Sequence, residues 1–283
     1  MDSRKLYWWA VNRLRPRRGQ PRTWVFWPGW AVLNAAIIVS VVVFRRGQRF
    51  PEPRRDSWTH KWRWRFEYLF QLTEYQTIDR CRELITPGMR VLDLGAHIGY
   101  FTRLFARLVG DGGVVYALEP HPDNHRLLQH NLKSDGLERV VVDQCLVGAA
   151  DGTAQLFIGS GHSNHTMHAA YAGTGGFIEL PAARLDSLLD RRNLGRFDFL
   201  KIDCEGAEPQ ILEGARETLR SVSNILIEVN PRALAAGGSS AARLLDQLRS
   251  LGFTPRVIED DGSLAEPEPS RPDTFNVLAH RTS

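Results

Sequence analysis

The chain has 283 residues, 43% hydrophobic and 24% charged, with a formal net charge of +4. That composition excludes a fibrous or disordered chain and leaves room for one large α/β domain with an appendage. Three cysteines, Cys81, Cys145 and Cys204, show no C-x-x-C spacing, which excludes a disulfide framework and points to a reducing cytoplasm.

The positive charge is concentrated at one end. Residues 1–65 hold fifteen Lys and Arg against three acids, while the remainder holds twenty-one against twenty-nine. An acidic domain behind a basic leader argues against nucleic acid as its partner. Residues 1–23 form the basic segment. Residues 24–44, "WVFWPGWAVLNAAIIVSVVVF", carry no charge. As a helix they would span about 31 Å, close to the ~30 Å hydrocarbon core. This predicts a membrane anchor, either transmembrane or, through Pro28-Gly29, re-entrant in the interface. Arginines on both sides leave its orientation open, and a helix packed on the domain is the rival reading. Residues 45–65 read as a basic, Pro- and Trp-rich linker. The catalytic domain is expected over 66–283, cytoplasmic and held near the membrane, with Trp64–Leu84 as a helical approach.

"VLDLGAHIGYFT", residues 91–102, reads as a buried strand, a glycine turn and a helix start. The turn is D-x-G-x-x-x-G, which lacks the middle glycine of a pyrophosphate-binding fingerprint. An acid just before the turn suits a cation better than a phosphate, and S-adenosylmethionine has a sulfonium and an ammonium. A second strand, Val114–Leu118, ends in Glu119, placed to accept the ribose hydroxyls of an adenosine lying across the first turn. A helix over His121–Lys133 and a third strand in "RVVVDQCLVG" follow, the strand's end near Asp143–Cys145 lying beside the adenine.

Strands alternating with helices predict a doubly wound, mostly parallel sheet. Two extended runs, "DGTAQLFIG" and "GGFIELPAARL", interrupt the alternation around "SGHSNHTMHAAYAGTG", which reads as a mobile loop. Its His162, His165 and His168 have metal-like spacing, but a solvated loop is the better reading. "FDFLKIDCEGAEPQIL" then supplies a strand, Phe197–Ile202, with Lys201, Asp203 and Glu205 alternating onto one side. Asp203, Glu205 and Glu208 cluster at its carboxyl end, where an open α/β sheet binds its ligand. "SNILIEVNP" adds a neighbouring strand ending in Glu228 and Asn230. Helix capping is the competing role for Glu205 and Glu208.

Taken in order, "VLDLGAHIGYFT", "VVYALEPHPDNHRLLQHNL", "GAADGTAQLFIG", "LPAARLDSLL", "FDFLKIDCEGAEPQILEGA" and "NILIEVN" resemble the blocks of the FkbM-type methyltransferases, over roughly residues 75–232. The resemblance implies a seven-stranded Rossmann-like methyltransferase fold and transfer to oxygen, commonly a sugar or other small-molecule hydroxyl. It implies that Asp93, Gly95, His97 and Gly99 cradle the amino-acid end of S-adenosylmethionine, with Glu119 on the ribose and Gln144 near the adenine. It also implies that Asp203 and Glu205 face the acceptor, supported by Lys201 and Glu228. His97 departs from the family, which mostly has Asn there. A hydroxyl is a weak nucleophile, so a carboxylate base or a carboxylate-held divalent metal must assist, and the sequence does not choose between them.

Three other functions compete. A methyltransferase acting on nucleic acid or protein is disfavoured by the acidic domain and the missing N-P-P-Y-like motif. A nicotinamide-dependent oxidoreductase is disfavoured by the missing glycine. A membrane-tethered binding protein with an inactive methyltransferase fold is disfavoured by the acid cluster after Lys201.

Overall fold

The computed structural model describes residues 3–14, 26–44, 47–50, 58–159, 165–173 and 175–282. It divides into two units, residues 1–48 with 53–75, and residues 49–52 with 76–283.

The first unit is helical: α1 (Ser3–Leu14), α2 (Phe26–Phe44) and α3 (Trp58–Leu69). Helix α3 begins inside the stretch expected as a linker. Among the described residues no helix is long and apolar enough to cross a membrane. The anchor expected over 24–44 gains no support from this, and residues 24 and 25 lie outside the described residues. Asn34, Ile37 and Val41 of α2 are buried, as is Val11 of α1, and α2 packs against α1 and α3. Elsewhere in the unit, Tyr7 Oη donates to Glu67 Oε1 at 2.8 Å, and Trp8 Nε1 donates to the Leu72 carbonyl at 2.8 Å.

The second unit opens with α4 (Tyr75–Leu84) and runs β1 (Arg90–Leu94), α5 (Tyr100–Val109), β2 (Val114–Leu118), α6 (Pro122–Ser134) and β3 (Val141–Asp143). Next come β4 (Leu146–Val147), β5 (Gly152–Phe157), α7 (Ala169–Ala172), β6 (Phe177–Ala183), α8 (Leu185–Arg192) and β7 (Phe199–Ile202). It closes with α9 (Glu208–Gly214), α10 (Arg216–Leu219), β8 (Asn224–Val229), α11 (Pro231–Ala236), α12 (Ala241–Ser250), β9 (Phe253–Ile258), β10 (Leu264–Ala265) and β11 (Phe275–Arg281).

The main sheet has the order β10-β9-β11-β8-β7-β1-β2-β3. Strands β3, β2, β1, β7 and β8 are mutually parallel, β11 is inserted antiparallel beside β8, and β9 and β10 complete the edge in antiparallel pairs. The expected seven mostly parallel strands thus become eight in a mixed sheet. Strands β4, β6 and β5 form a second, three-stranded sheet. The run "RVVVDQCLVG" is divided between the two sheets, breaking at Gln144-Cys145.

Both faces of the central strands are covered, which explains their continuous apolar runs. Leu92, Leu94, Leu200, Ile202 and Ile227 pack on one side with Ile211 and Leu244. Val91, Ala117, Phe199 and Leu226 pack on the other with Ile78, Phe105 and Leu128. Full burial of each such side chain contributes roughly 1.5–3 kcal/mol. From β1 the chain winds outward through β2 to β3, then returns to β7 on the other side of β1. The crevice at the carboxyl ends of β1 and β7 is therefore the switch point at which such sheets bind ligands.

Candidate active site

Strand parity decides which side chains meet at that crevice. Val91 and Phe199 point to the α5 side, so Asp93 and Lys201, two residues on, point the same way. They are also register partners across β1 and β7. Asp93 is fully buried, and its Oδ2 accepts from Thr102 Oγ1 at 2.6 Å. Its Oδ1 has no hydrogen-bond donor among the described residues and lies 3.9 Å from Lys201 Nζ. Burial raises the Asp93 carboxyl above the ordinary range, against the opposing pull of Lys201 and Thr102. Lys201 Nζ donates to Asp203 Oδ2 at 3.0 Å and lies 4.9 Å from the Phe101 ring centroid.

The glycine turn is bound to the sheet rather than splayed open. Gly95 N and Ala96 N both donate to the Leu118 carbonyl, at 2.9 and 3.0 Å, and His97 N donates to Glu119 Oε2 at 2.8 Å. Three successive N–H groups of the turn are thus engaged by the end of β2. A Cβ on Gly95 would lie 1.9 Å from the Asp203 carbonyl oxygen, so this glycine lets β7 close on the turn. A Cβ on Gly99 would meet Leu128 Cδ1 of α6 at 2.9 Å. His97 sits at φ +51°, a conformation that Asn and His tolerate better than most residues. The family's usual Asn and this chain's His are therefore interchangeable for the backbone.

Glu119 is buried beside the turn. Its Oε1 accepts from His121 N at 2.9 Å and Asn124 Nδ2 at 3.5 Å, opposite the His97 bond on Oε2. Burial pushes it up to about 7 despite these donors. Gln144 Nε2 donates to the Pro120 carbonyl at 3.1 Å, which brings the end of β3 against the end of β2. Asp93, Gly95, His97, Gly99, Glu119 and Gln144 thus belong to one rim across β1, β2 and β3.

On the other side of the crevice, Asp203 is about one-third exposed and hydrogen-bonded to Lys201. Glu205 occupies the left-handed region at φ +44°. Its Oε2 accepts from Asn230 Nδ2 at 2.9 Å, and burial, then the Asp203 charge, pushes it up to about 7. Glu208 serves the backbone: its Oε1 accepts from Cys204 N and Gly206 N at 3.2 and 3.1 Å. Burial pushes it, too, up to about 7. Glu228, half-buried on β8, carries its charge near Tyr171.

The segment read as a mobile loop is pinned over much of its described length. Thr166 Oγ1 donates to the Glu205 carbonyl at 2.6 Å, and His168 Nε2 meets the Gly206 carbonyl at 3.0 Å. His165 stacks on His121 with ring centroids 4.1 Å apart. His162 lies outside the described residues. Among the described residues, no three His, Cys, Asp or Glu side chains are grouped to hold a metal ion.

The model of the FkbM methyltransferase domain matches residues 93–255, more than half of the chain. The chain belongs to the FkbM methyltransferase family. The expected S-adenosylmethionine-dependent methyltransferase domain is borne out at that level. The 2-O-methyltransferase NoeI of Sinorhizobium fredii is 23% identical over 193 residues, covering 62% of this chain and 78% of that protein. Methyltransferase 1 of Beauveria bassiana is 26% identical over 207 residues, covering 65% and 80%. Ribosomal RNA large subunit methyltransferase E of Alkalilimnicola ehrlichii is 37% identical over 117 residues, 38% of this chain, and the match spans only about half (54%) of that protein.

Within this FkbM domain, Thr102, Asn124 and Tyr171 were missed by the sequence reading. Thr102 is nine residues beyond the acid it bonds, outside any spacing rule for the turn. Asn124 offered a signal, one helical turn into the helix that follows Glu119. Tyr171, in a Gly- and Ser-rich stretch, offered none.

Proposed function

We propose that this FkbM protein is an O-methyltransferase that methylates a hydroxyl on a sugar, a glycan or another small molecule, using S-adenosylmethionine. The observation that carries the reading is the meeting of two acid sets across one switch-point crevice, Glu119 with the glycine turn on one side and Asp203 with Glu205 on the other. The printed name of the NoeI relative, a 2-O-methyltransferase, supports transfer to oxygen.

The residues fit the cofactor. Glu119 stands at the end of β2 with lone pairs left over for ribose hydroxyls, and Asp93 Oδ1 is a buried acceptor without a hydrogen-bond donor. Gln144 closes the β3 side. When bound, S-adenosylmethionine supplies an electrophilic methyl group. The chain's own part is to align the acceptor oxygen and to take its proton as the new carbon–oxygen bond forms. Asp203 and Glu205 lie where that proton would go, and a carboxylate titrating near neutrality is matched to the task. One lysine, already bonded, faces several acids, and such a surface repels a phosphate backbone.

The test is Asp203→Asn, assayed by calorimetry with S-adenosylmethionine and by labelled-methyl transfer to a panel of glycans. Retained cofactor affinity with a large fall in turnover is expected, insensitive to added magnesium or a chelator. Full activity in Asp203→Asn would remove that acid from the reaction.

A further inference from the structure

Asn230 has both polar atoms of its side chain bonded. Its Oδ1 accepts from Arg232 N and Ala233 N, at 3.2 and 3.3 Å, and so caps α11. The cap fixes which end of the amide is oxygen, a choice otherwise open to inversion. The Nδ2 group must then face the other way, where it donates to Glu205 Oε2 at 2.9 Å and to Tyr171 Oη at 2.7 Å. Because Tyr171 Oη accepts from Asn230, its own proton is free to turn toward the Glu205 carboxylate, with which it interacts electrostatically. Side chains from two separate elements, the β8–α11 junction and α7, thus converge on one acid.

The backbone under that acid is held as closely. Glu205 sits at φ +44°, a geometry that costs a non-glycine residue energy and persists only with support. Support comes from the segment that carries Tyr171. Thr166 Oγ1 bonds the Glu205 carbonyl, and His168 Nε2 bonds the Gly206 carbonyl. A side chain at Gly206 would meet the Ala233 carbonyl at 2.6 Å and the His168 ring at 2.9 Å, so the three segments close tightly on one another. Nothing in helix capping requires this: Glu205 bonds no N–H of α9, whereas Glu208 serves the backbone of that turn.

We propose that Tyr171 and Asn230 are positioning residues for Glu205, which acts as the proton acceptor for the substrate hydroxyl. This rests on the methyltransferase reading given above and selects Glu205 over Asp203 as the base. Asp203 Oδ2 is already engaged by Lys201 Nζ at 3.0 Å, which occupies the oxygen that would take a proton. The groups facing Glu205 are Asp203, whose charge favours its protonated form, and the two donors Tyr171 and Asn230, which favour its charged form. Glu228 acts on Tyr171 from β8. The donors therefore limit how far burial and Asp203 raise Glu205, and hold its head group in one orientation.

The experiment is a carbon-13 NMR titration of side-chain carboxyls in the full chain labelled at glutamate, the Glu205 signal being assigned from Glu205→Gln. Tyr171→Phe removes one donor and keeps the ring. Asn230→Asp keeps the cap on α11 and removes the other donor. Each should move the Glu205 midpoint upward by about one pH unit, Asn230→Asp by more because it adds a like charge. A Glu205 midpoint unchanged or lowered in both folded variants would overturn the proposal. Calorimetry with S-adenosylmethionine separates the two readings. Loss of binding in the unmodified protein would count against the methyltransferase reading, whereas binding with an unmoved Glu205 signal would count only against the positioning pair.

Discussion

Gly95→Ala distinguishes a glycine kept for the ligand from one kept for the fold. The residue sits at φ +79°, where an alanine costs roughly 1–2 kcal/mol. Its Cβ would also lie 1.9 Å from the Asp203 carbonyl oxygen and 2.9 Å from its carbon. Relief requires the two backbones to separate by about 1 Å, and overpacking of that kind costs about 1–3 kcal/mol. Asp203 cannot retreat freely, because its own N–H donates to the Leu94 carbonyl at 3.0 Å, one residue before the turn. The expected loss is about 2–5 kcal/mol, read as a fall in the urea midpoint of roughly 1–2 M. Gly99→Ala should lose less, since the obstructing Leu128 Cδ1 belongs to a side chain that can rotate. If Gly95→Ala unfolds like the unmodified protein and loses only cofactor affinity, the turn serves the ligand and the packing argument is wrong.

Glu119→Gln should cost about 1–3 kcal/mol, because an amide cannot accept from both His97 N and His121 N with its two ends. Calorimetry should show S-adenosylmethionine binding weakened as well, and a variant equal in both respects would remove Glu119 from the site. Burial holds Glu119, Glu205 and Glu208 at about 7 against an ordinary 4.5, so the folded chain keeps protons that the unfolded chain has released. Their contribution to stability is complete below about pH 4.5 and is lost as pH rises through about 7. Urea midpoints measured across that window should fall less steeply in Glu208→Gln; an equal slope would contradict the assignment. Thr102→Val should destabilise by about 1–3 kcal/mol by removing the donor to buried Asp93, and Thr102→Ser should recover most of it.

The parts of this fold legible in the sequence were those with strong local signals. Strand β2 was expected over the residues it occupies, and β1, β7 and β8 were expected with only small end shifts, because strands buried on both faces show as apolar runs. The second sheet was not separable from the first. Asp143 and Leu146 stand three residues apart in an apolar run, and only the turn at Gln144-Cys145 sends them to different sheets. The N-terminal run is ambiguous for a related reason: an uncharged run of spanning length has the same composition whether lipid or neighbouring helices cover it. Burial of Asn34, Ile37 and Val41 within the first unit is a tertiary fact. At the site, acids at strand ends were legible because position along a strand predicts the crevice. The partners that orient them, Thr102 and Tyr171, come from other elements, and no spacing announces them.

Asp203 links these observations. Its charge acts on Asp93, Glu119, Glu205 and Glu208 together, in each case favouring the protonated form. Among the causes acting on Glu119 and Asp93 its influence is the smallest, whereas on Glu205 it ranks directly after burial. An Asn at 203 therefore changes the acceptor side far more than the cofactor side. Loss of turnover in that variant has two physical routes, removal of a proton acceptor at 203 or a lowered proton affinity at Glu205. A pH profile separates them. Activity that survives with its acidic limb moved to lower pH places the proton on Glu205, because deleting a nearby charge alters when a base works and not whether it exists.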